Sequence, residues 1–232
     1  MPLTGRAAQA RVGVRRARQV LRDLRPVPGW DEPRGPVVVG GSRVELLTPR
    51  VRDGAEWTAE RLACRGDLEP WWPADGRWPE EQTELAWNER CARLRSAARR
   101  GAALPGVLRV DGSLRGEVGV DAVDLGTATG ELSFWVNTAA VPRGTAVAAT
   151  ALLCRRAFAA PGIDRLAAPV AVHNNRPRSL LSRLGFEREA TFRNYRWTSA
   201  GRSDHDVFVL HDGPAAQEQL RRVLAEVSAP PG

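Results

Sequence analysis

The residues with chemistry to offer begin at a turn, Pro142-Arg143-Gly144-Thr145-Ala146, that runs into the small residues Val147 to Ala151. A helix N-terminus leaves backbone N–H groups unpaired and carries partial positive charge, and small side chains let a phosphate approach that backbone closely. Gly144, Ala146 and Ala148 meet the size requirement and Arg143 adds a charged donor. An Arg-Gly turn before an Ala-rich helix also serves plain helix capping, so the turn alone leaves both readings open. Asn174 follows 30 residues after Gly144, at the end of a strand, and leads into Ser179 to Glu189, SLLSRLGFERE. His173, His205 and His211 do not have the spacing of a metal motif, and Cys64, Cys91 and Cys154 form no CxxC pair, so neither a metal site nor a disulfide framework is expected. Trp57 and Trp87 fall on helix faces and suit a core. Trp71, Trp72 and Trp78, held between prolines and glycine, suit either packing or the aromatic wall of a groove.

The elements that must position these residues can be read from pattern. Val37 to Leu47 reads as a strand, and Asp53 caps a helix through Trp57 and Leu62. Leu68 to Pro79, LEPWWPADGRWP, reads as a loop. Pro79-Glu80-Glu81 then starts a helix that shows Leu85, Cys91 and Leu94 on one side and stops near Gly101. Strands over 107–110 and 114–120 are joined by Asp111-Gly112, a hairpin signal. Glu131 to Asn137 is a strand, Thr145 opens a helix, Arg165 to Val172 is a strand, and Arg178 to Leu184 is a short helix ended by Gly185. Late strands over 187–197 and 206–211 and a helix over 215–227 complete the chain. This order predicts an α/β (α+β) domain with a mixed, partly antiparallel sheet, not the strict alternation of a dinucleotide-binding fold.

Of 232 residues, 43% are apolar, enough for one domain with a real core. All 34 cations are arginine, against 27 acids, for a net charge of +7. Residues 1–25 hold seven of those arginines (Arg6, Arg11, Arg15, Arg16, Arg18, Arg22, Arg25) and one acid, while the remainder holds 27 against 26. The charge therefore belongs to a leader. Prolines and glycines from Pro26 to Pro36 read as a linker. The expected organisation is a basic leader and linker over 1–36, a folded domain over 37–212, and a C-terminal helix and tail over 213–232. The leader is either an extension without a partner or a weak contact to nucleic-acid phosphates through Arg6 to Arg25. No apolar run reaches the length of a membrane helix, and no apolar segment of a secretory signal follows the basic leader, so a cytoplasmic protein without membrane attachment is expected.

Strand, phosphate-type turn, helix, strand, Asn, short helix and Leu-Gly-Phe, in that order, resemble the GNAT superfamily of acetyl-CoA-dependent N-acetyltransferases. VELLTPRVRDG, LEPWWP, GELSFWV, NNRPRSLLSRLGFERE and GRSDHDVFVL resemble its RimJ/RimL group of ribosomal-protein-alanine N-acetyltransferases, over about Val37 to Asp212. The resemblance implies a splayed strand pair at the coenzyme site. The backbone of Phe134, Trp135, Val136 and Asn137 would accept the pantetheine amides and offer an N–H to the thioester carbonyl. Arg143, Gly144, Thr145, Ala146 and Ala148 would cradle the pyrophosphate, and Asn174 would bond the pantetheine arm. The acceptor would be a primary amine, most of it protonated at neutral pH, so a proton acceptor is needed. Glu131 leads as that base, with an ordinary ion pair to an arginine as the alternative; Asp204 and His205 follow. Trp71, Trp72 and Trp78 would wall the acceptor groove. Cys154 would be buried filler, since direct transfer needs no acyl-enzyme. The implied acceptor is a peptide or protein N-terminus, possible ribosomal proteins included, with a small-molecule amine or a catalytically degenerate acyl-CoA-binding module as alternatives, and the protein a monomer or homodimer. Val141 stands where the family turn usually has Gln or Arg, Pro177 replaces a hydroxyl, and Leu181 stands where other branches carry a general-acid Tyr, leaving Tyr195 as the chain's one tyrosine.

Overall fold

The structure, a computed structural model, describes residues 34–72, 77–160 and 162–229. The leader, with its expected nucleic-acid contact through Arg6 to Arg25, lies outside the described residues. Strands β1 (Arg34–Val39) and β2 (Ser42–Leu47) form an antiparallel hairpin. The sequence reading had one strand over Val37 to Leu47. Gly40 and Gly41, at φ +56° and +86°, instead reverse the chain, a two-glycine turn whose left-handed backbone suits the twist of a hairpin. Strand β1 also starts three residues before the expected domain boundary.

Helix α1 (Gly54–Ala63) is followed by a short α2 (Arg65–Leu68), a 3-10 turn at Glu69–Trp71, a single helical turn α3 (Trp78–Glu81) and α4 (Glu84–Arg99). The helix expected to run on from Pro79 breaks at Gln82, and Thr83 caps a new one, its Oγ1 accepting the Ala86 N–H at 3.1 Å. The restart sets the phase: Trp87, Cys91 and Leu94 face inward, while Leu85, expected on that side, is exposed.

Strands β3 (Val107–Val110), β4 (Ser113–Asp124) and β5 (Thr129–Val136) follow, then α5 (Thr145–Phe158), β6 (Arg165–Ala171), α6 (Asn175–Arg183), β7 (Glu187–Thr198), β8 (Gly201–His211) and α7 (Pro214–Ser228). The described strands make one sheet in the order β1-β2-β3-β4-β5-β6-β8-β7, antiparallel except where β5 meets β6. The mixed sheet expected from the element order is the observed one. Strand alternation sends Leu132, Phe134 and Val136 to the face covered by α5 and α7, and Trp135 to the other face with Trp57, Trp87 and Cys91. Ala148, Ala149, Ala151, Cys154 and Ala157 are fully buried, so small side chains bring α5 close to the sheet. The C-terminal helix belongs to the same core through Leu220, Val223 and Leu224.

Gly116 lies opposite Val136 on β4, and a Cβ there would stand 2.3 Å from the Trp135 carbonyl oxygen. Gly116→Ala is expected to lower stability by about 2 kcal/mol, since the sheet must shift to admit it. Gly119→Ala on the same strand, whose nearest neighbour would be at 3.7 Å, is expected to cost far less. Urea midpoints at unchanged slope measure both.

Candidate active site

Parallel pairing of β5 with β6 covers Thr129, Gly130 and Glu131 against Arg165, Leu166 and Ala167, and there it stops. Beyond that point β5 stays with β4 as far as Val136, while β6 stays with β8 as far as Ala171 opposite His205. The strands splay, and the β6-facing edge of β5 is left without a strand partner. A cleft of about 230 Å³ opens there, lined among others by Glu131, Phe134, Asn174, Trp71, Trp197 and His205.

The groups around this cleft are tied to each other. The Glu131 carboxylate accepts from Arg196 at 2.8 Å. The same Arg196 nitrogen is 3.2 Å from the Tyr195 hydroxyl, and its guanidinium lies 4.7 Å from the Tyr195 ring centroid. Tyr195 in turn stands edge-on to the His205 ring at 5.7 Å. His205 is buried, with Nδ1 2.9 Å from the Ser203 carbonyl oxygen. A carbonyl only accepts, so Nδ1 carries the hydrogen and Nε2 of the neutral ring keeps the lone pair. The neighbouring Asp206 takes hydrogen bonds from Thr191 at 2.6 Å and an ion pair from Arg178 at 2.7 Å, fixing β8 to β7 and α6. Burial alone would raise the Asp206 pKa; Thr191 and Arg178 outweigh it and hold the carboxyl below its ordinary value.

At the expected coenzyme turn, α5 begins from Gly144 at φ +99° with no side-chain cap. A Cβ at Gly144 would stand 3.2 Å from Val227 and 3.6 Å from Val39, so glycine is required by space as well as by backbone. Thr145 Oγ1, one residue into the helix, is buried without a hydrogen-bond partner. Uncapped amides, small side chains and an unsatisfied hydroxyl at one helix end fit a pyrophosphate, with the exposed Arg143 beside them. Asn174 stands just before α6 without a side-chain capping bond and lines the cleft, which Pro177 also lines.

Several expected site residues fall elsewhere. Ala148 is fully buried with its N–H donating to the Gly144 carbonyl, and the N–H of the equally buried Thr145 donates to the Pro142 carbonyl, so neither amide is free for an anion. Asn137 gives its N–H to the Arg115 carbonyl and its side-chain amide to Glu60, which takes it off the coenzyme edge. The Trp135 indole points to the far face and donates to Glu117, and its backbone, in the same alternation as Asn137, turns to β4, which leaves Phe134 and Val136 on the open edge. Asp204 accepts the Asn194 N–H in the β7–β8 hairpin and does not line the cleft. Of the three loop tryptophans only Trp71 does; Trp78 is 2% exposed and, with Trp72, packs around Arg61. Arg196 and Trp197 line the cleft without having been singled out, because nothing but strand alternation marks them. Burial pushes the Cys64, Cys91 and Cys154 thiols up to about 11, 12 and 12, out of reach of nucleophilic use at neutral pH. Among the described residues no His, Cys, Asp and Glu are grouped to hold a metal ion, and no helix is long and apolar enough to cross a membrane.

Comparison with known proteins matches an acetyltransferase (GNAT) domain to residues 43–187. The chain is similar to Mycobacterium smegmatis RimJ in complex with CoA-disulfide, at 30% identity and a TM-score of 0.80, over 87% of this chain and 98% of that one. It is similar in fold to RimL, the ribosomal L7/L12 alpha-N-protein acetyltransferase in complex with coenzyme A, at 14% identity and a TM-score of 0.68, over 78% and 98% of the two chains. The same holds for the ribosomal-protein-S5-alanine acetyltransferase from Vibrio fischeri, at 18% and 0.65, over 75% and 94%. No curated protein sequence matches the chain. With a splayed β5–β6 edge, an uncapped Gly144 turn and a family match over more than half its length, the chain belongs to the GNAT acetyltransferases, acyltransferases that use acetyl-CoA.

Proposed function

We propose that the protein acetylates the α-amine of a protein N-terminus, the ribosomal-protein type of acceptor, and that His205 is the base. The observation that carries this reading is the cleft at the β5–β6 splay, which holds His205 and opens between the turn bearing Trp71 and the β7–β8 hairpin bearing Trp197. The RimJ likeness and the acceptors in the names of the RimL and S5-alanine enzymes support a protein amine.

The coenzyme supplies an acetyl thioester as the electrophile. Arg143 and the first amides of α5 hold its pyrophosphate, Asn174 bonds its pantetheine arm, and the unpaired edge of β5 at Phe134 and Val136 directs N–H groups to where negative charge develops. His205 takes a proton from the acceptor ammonium at Nε2, the nitrogen that Ser203 leaves as acceptor. Glu131 is committed to Arg196 and shapes the wall instead of taking the proton. Trp71 and Trp197 border the first residues of the acceptor and keep water from the reacting amine.

Incubation with acetyl-CoA and peptides beginning with Ala, Ser or Met is expected to release free thiol in proportion to acetylated peptide. Coenzyme binding by calorimetry with no thiol release from any peptide would instead leave an acyl-CoA-binding module, and release with small amines alone would move the acceptor class.

A further inference from the structure

The Trp71 wall belongs to a 3-10 turn, Glu69–Trp71, none of whose residues is buried. Packing of its own side chains does not fix it, yet its two ends are held. On one side the Pro70 carbonyl accepts both the Ser199 N–H at 3.1 Å and the Ser199 hydroxyl at 3.0 Å. On the other, Trp72 and Trp78 each present a ring to the Arg61 guanidinium, at 4.8 and 4.4 Å from their centroids.

Arg61 is 3% exposed, and two more rings complete its surroundings, Trp57 at 5.5 Å and Trp135 at 5.2 Å. Its Nε donates to Gln82 Oε1 at 2.8 Å, and Gln82 donates onward to the Trp78 carbonyl at 2.9 Å. Burial brings the Arg61 pKa down to about 10, which still leaves a full cation at neutral pH. Both Trp57 and Trp135 give their indole N–H to Glu117 Oε2, at 2.9 and 2.8 Å. A hydrogen bond to a carboxylate pushes electron density into an indole, which deepens the negative face those rings turn toward Arg61. A buried cation is costly unless its surroundings repay it, so its presence here calls for a structural use.

We propose that Arg61 is a positioning residue for acceptor binding: clasped by four indoles from α1, β5, α3 and the segment after the 3-10 turn, it fixes that turn so that Trp71 stands on the cleft. It rests on the reading of the cleft as the acceptor site, and Arg61 itself touches no substrate.

Arg61→Met fills the volume but loses the cation and the bond to Gln82. It is expected to raise the peptide KM about tenfold, the equivalent of one or two cation–π contacts, with kcat and the acetyl-CoA KM changed by less than about two-fold. Trp72→Leu, at an exposed position outside the core, is expected to do the same in a protein whose fold is not at risk. An unchanged peptide KM in both variants, equal rises in both KM values, or a fall in kcat alone overturns the proposal. Hydrogen exchange reads the anchoring without any acceptor. The Trp71 and Trp72 amides should exchange faster in both variants while the amides of β4 and β5 keep their protection. Unchanged exchange at Trp71 and Trp72 overturns it even if the acceptor proves not to be a peptide.

Discussion

His205→Gln is expected to lower kcat about 100-fold, the usual range for losing a general base, with the acetyl-CoA KM nearly unchanged. The argument is geometric. Ser203 holds Nδ1, Tyr195 packs against the ring, and His205 lines the cleft, so one nitrogen with a lone pair remains to meet an acceptor. Glu131→Gln is expected to act more weakly, since its carboxylate already answers Arg196, and Asp204→Asn should behave as wild type. A full rate in His205→Gln, with kcat lost in Glu131→Gln, would give the base role to Glu131.

Glu117→Ala is expected to destabilise the protein by about 3 kcal/mol, chiefly because two buried indole N–H groups lose their acceptor. Glu117 accepts from Trp57, Trp135 and Arg90, the last at 2.9 Å. Arg90 is partly solvent-exposed and can be re-solvated, so the tryptophans carry most of the loss. Glu117→Gln retains an oxygen for them and should lose less. Burial by itself pushes the Glu117 pKa up; Arg90 and the two indoles pull it down further, and the net value lies below the ordinary one. A folded pKa below the unfolded value stabilises the protein above roughly pH 4–5 and loses that contribution as pH falls through the folded value. Thermal melts from pH 7 down to pH 3 should therefore steepen their fall in wild type relative to Glu117→Gln.

What the sequence shows and what it hides divide by the range of the interaction. Asp111-Gly112 is a local signal, and both residues take positive φ, +50° and +84°, in the predicted hairpin. Gly40-Gly41 is the same kind of signal and was readable, but a continuous Val and Leu count over Val37 to Leu47 obscured it. The small residues after Gly144 also speak locally, because they must lie against the sheet wherever α5 goes. Leu85 was misplaced because Gln82 and Thr83 restart the helix, and two helical pieces do not share one phase. Arg61 was beyond reach: its four rings come from segments as far apart as Trp57 and Trp135, and only the folded sheet brings them together. Arg196 and Trp197 are likewise ordinary strand residues until β6 and β5 part beside them, whereas His205 stands out beforehand through the Asp204-His205 pair that the family resemblance implies.

The tryptophan arrangement also gives the protein two separate optical signals. Trp57 and Trp87 are stacked at 5.2 Å with 29° between their planes, and Trp72 and Trp78 meet edge-on at 5.0 Å, so the indole transitions of both pairs are close enough to couple and circular dichroism in those bands reports the folded packing. Trp71 and Trp197 border the cleft, so an occupant is expected to change their share of the emission. Unfolding and occupancy can thus be followed in one unlabelled sample, by circular dichroism and by emission.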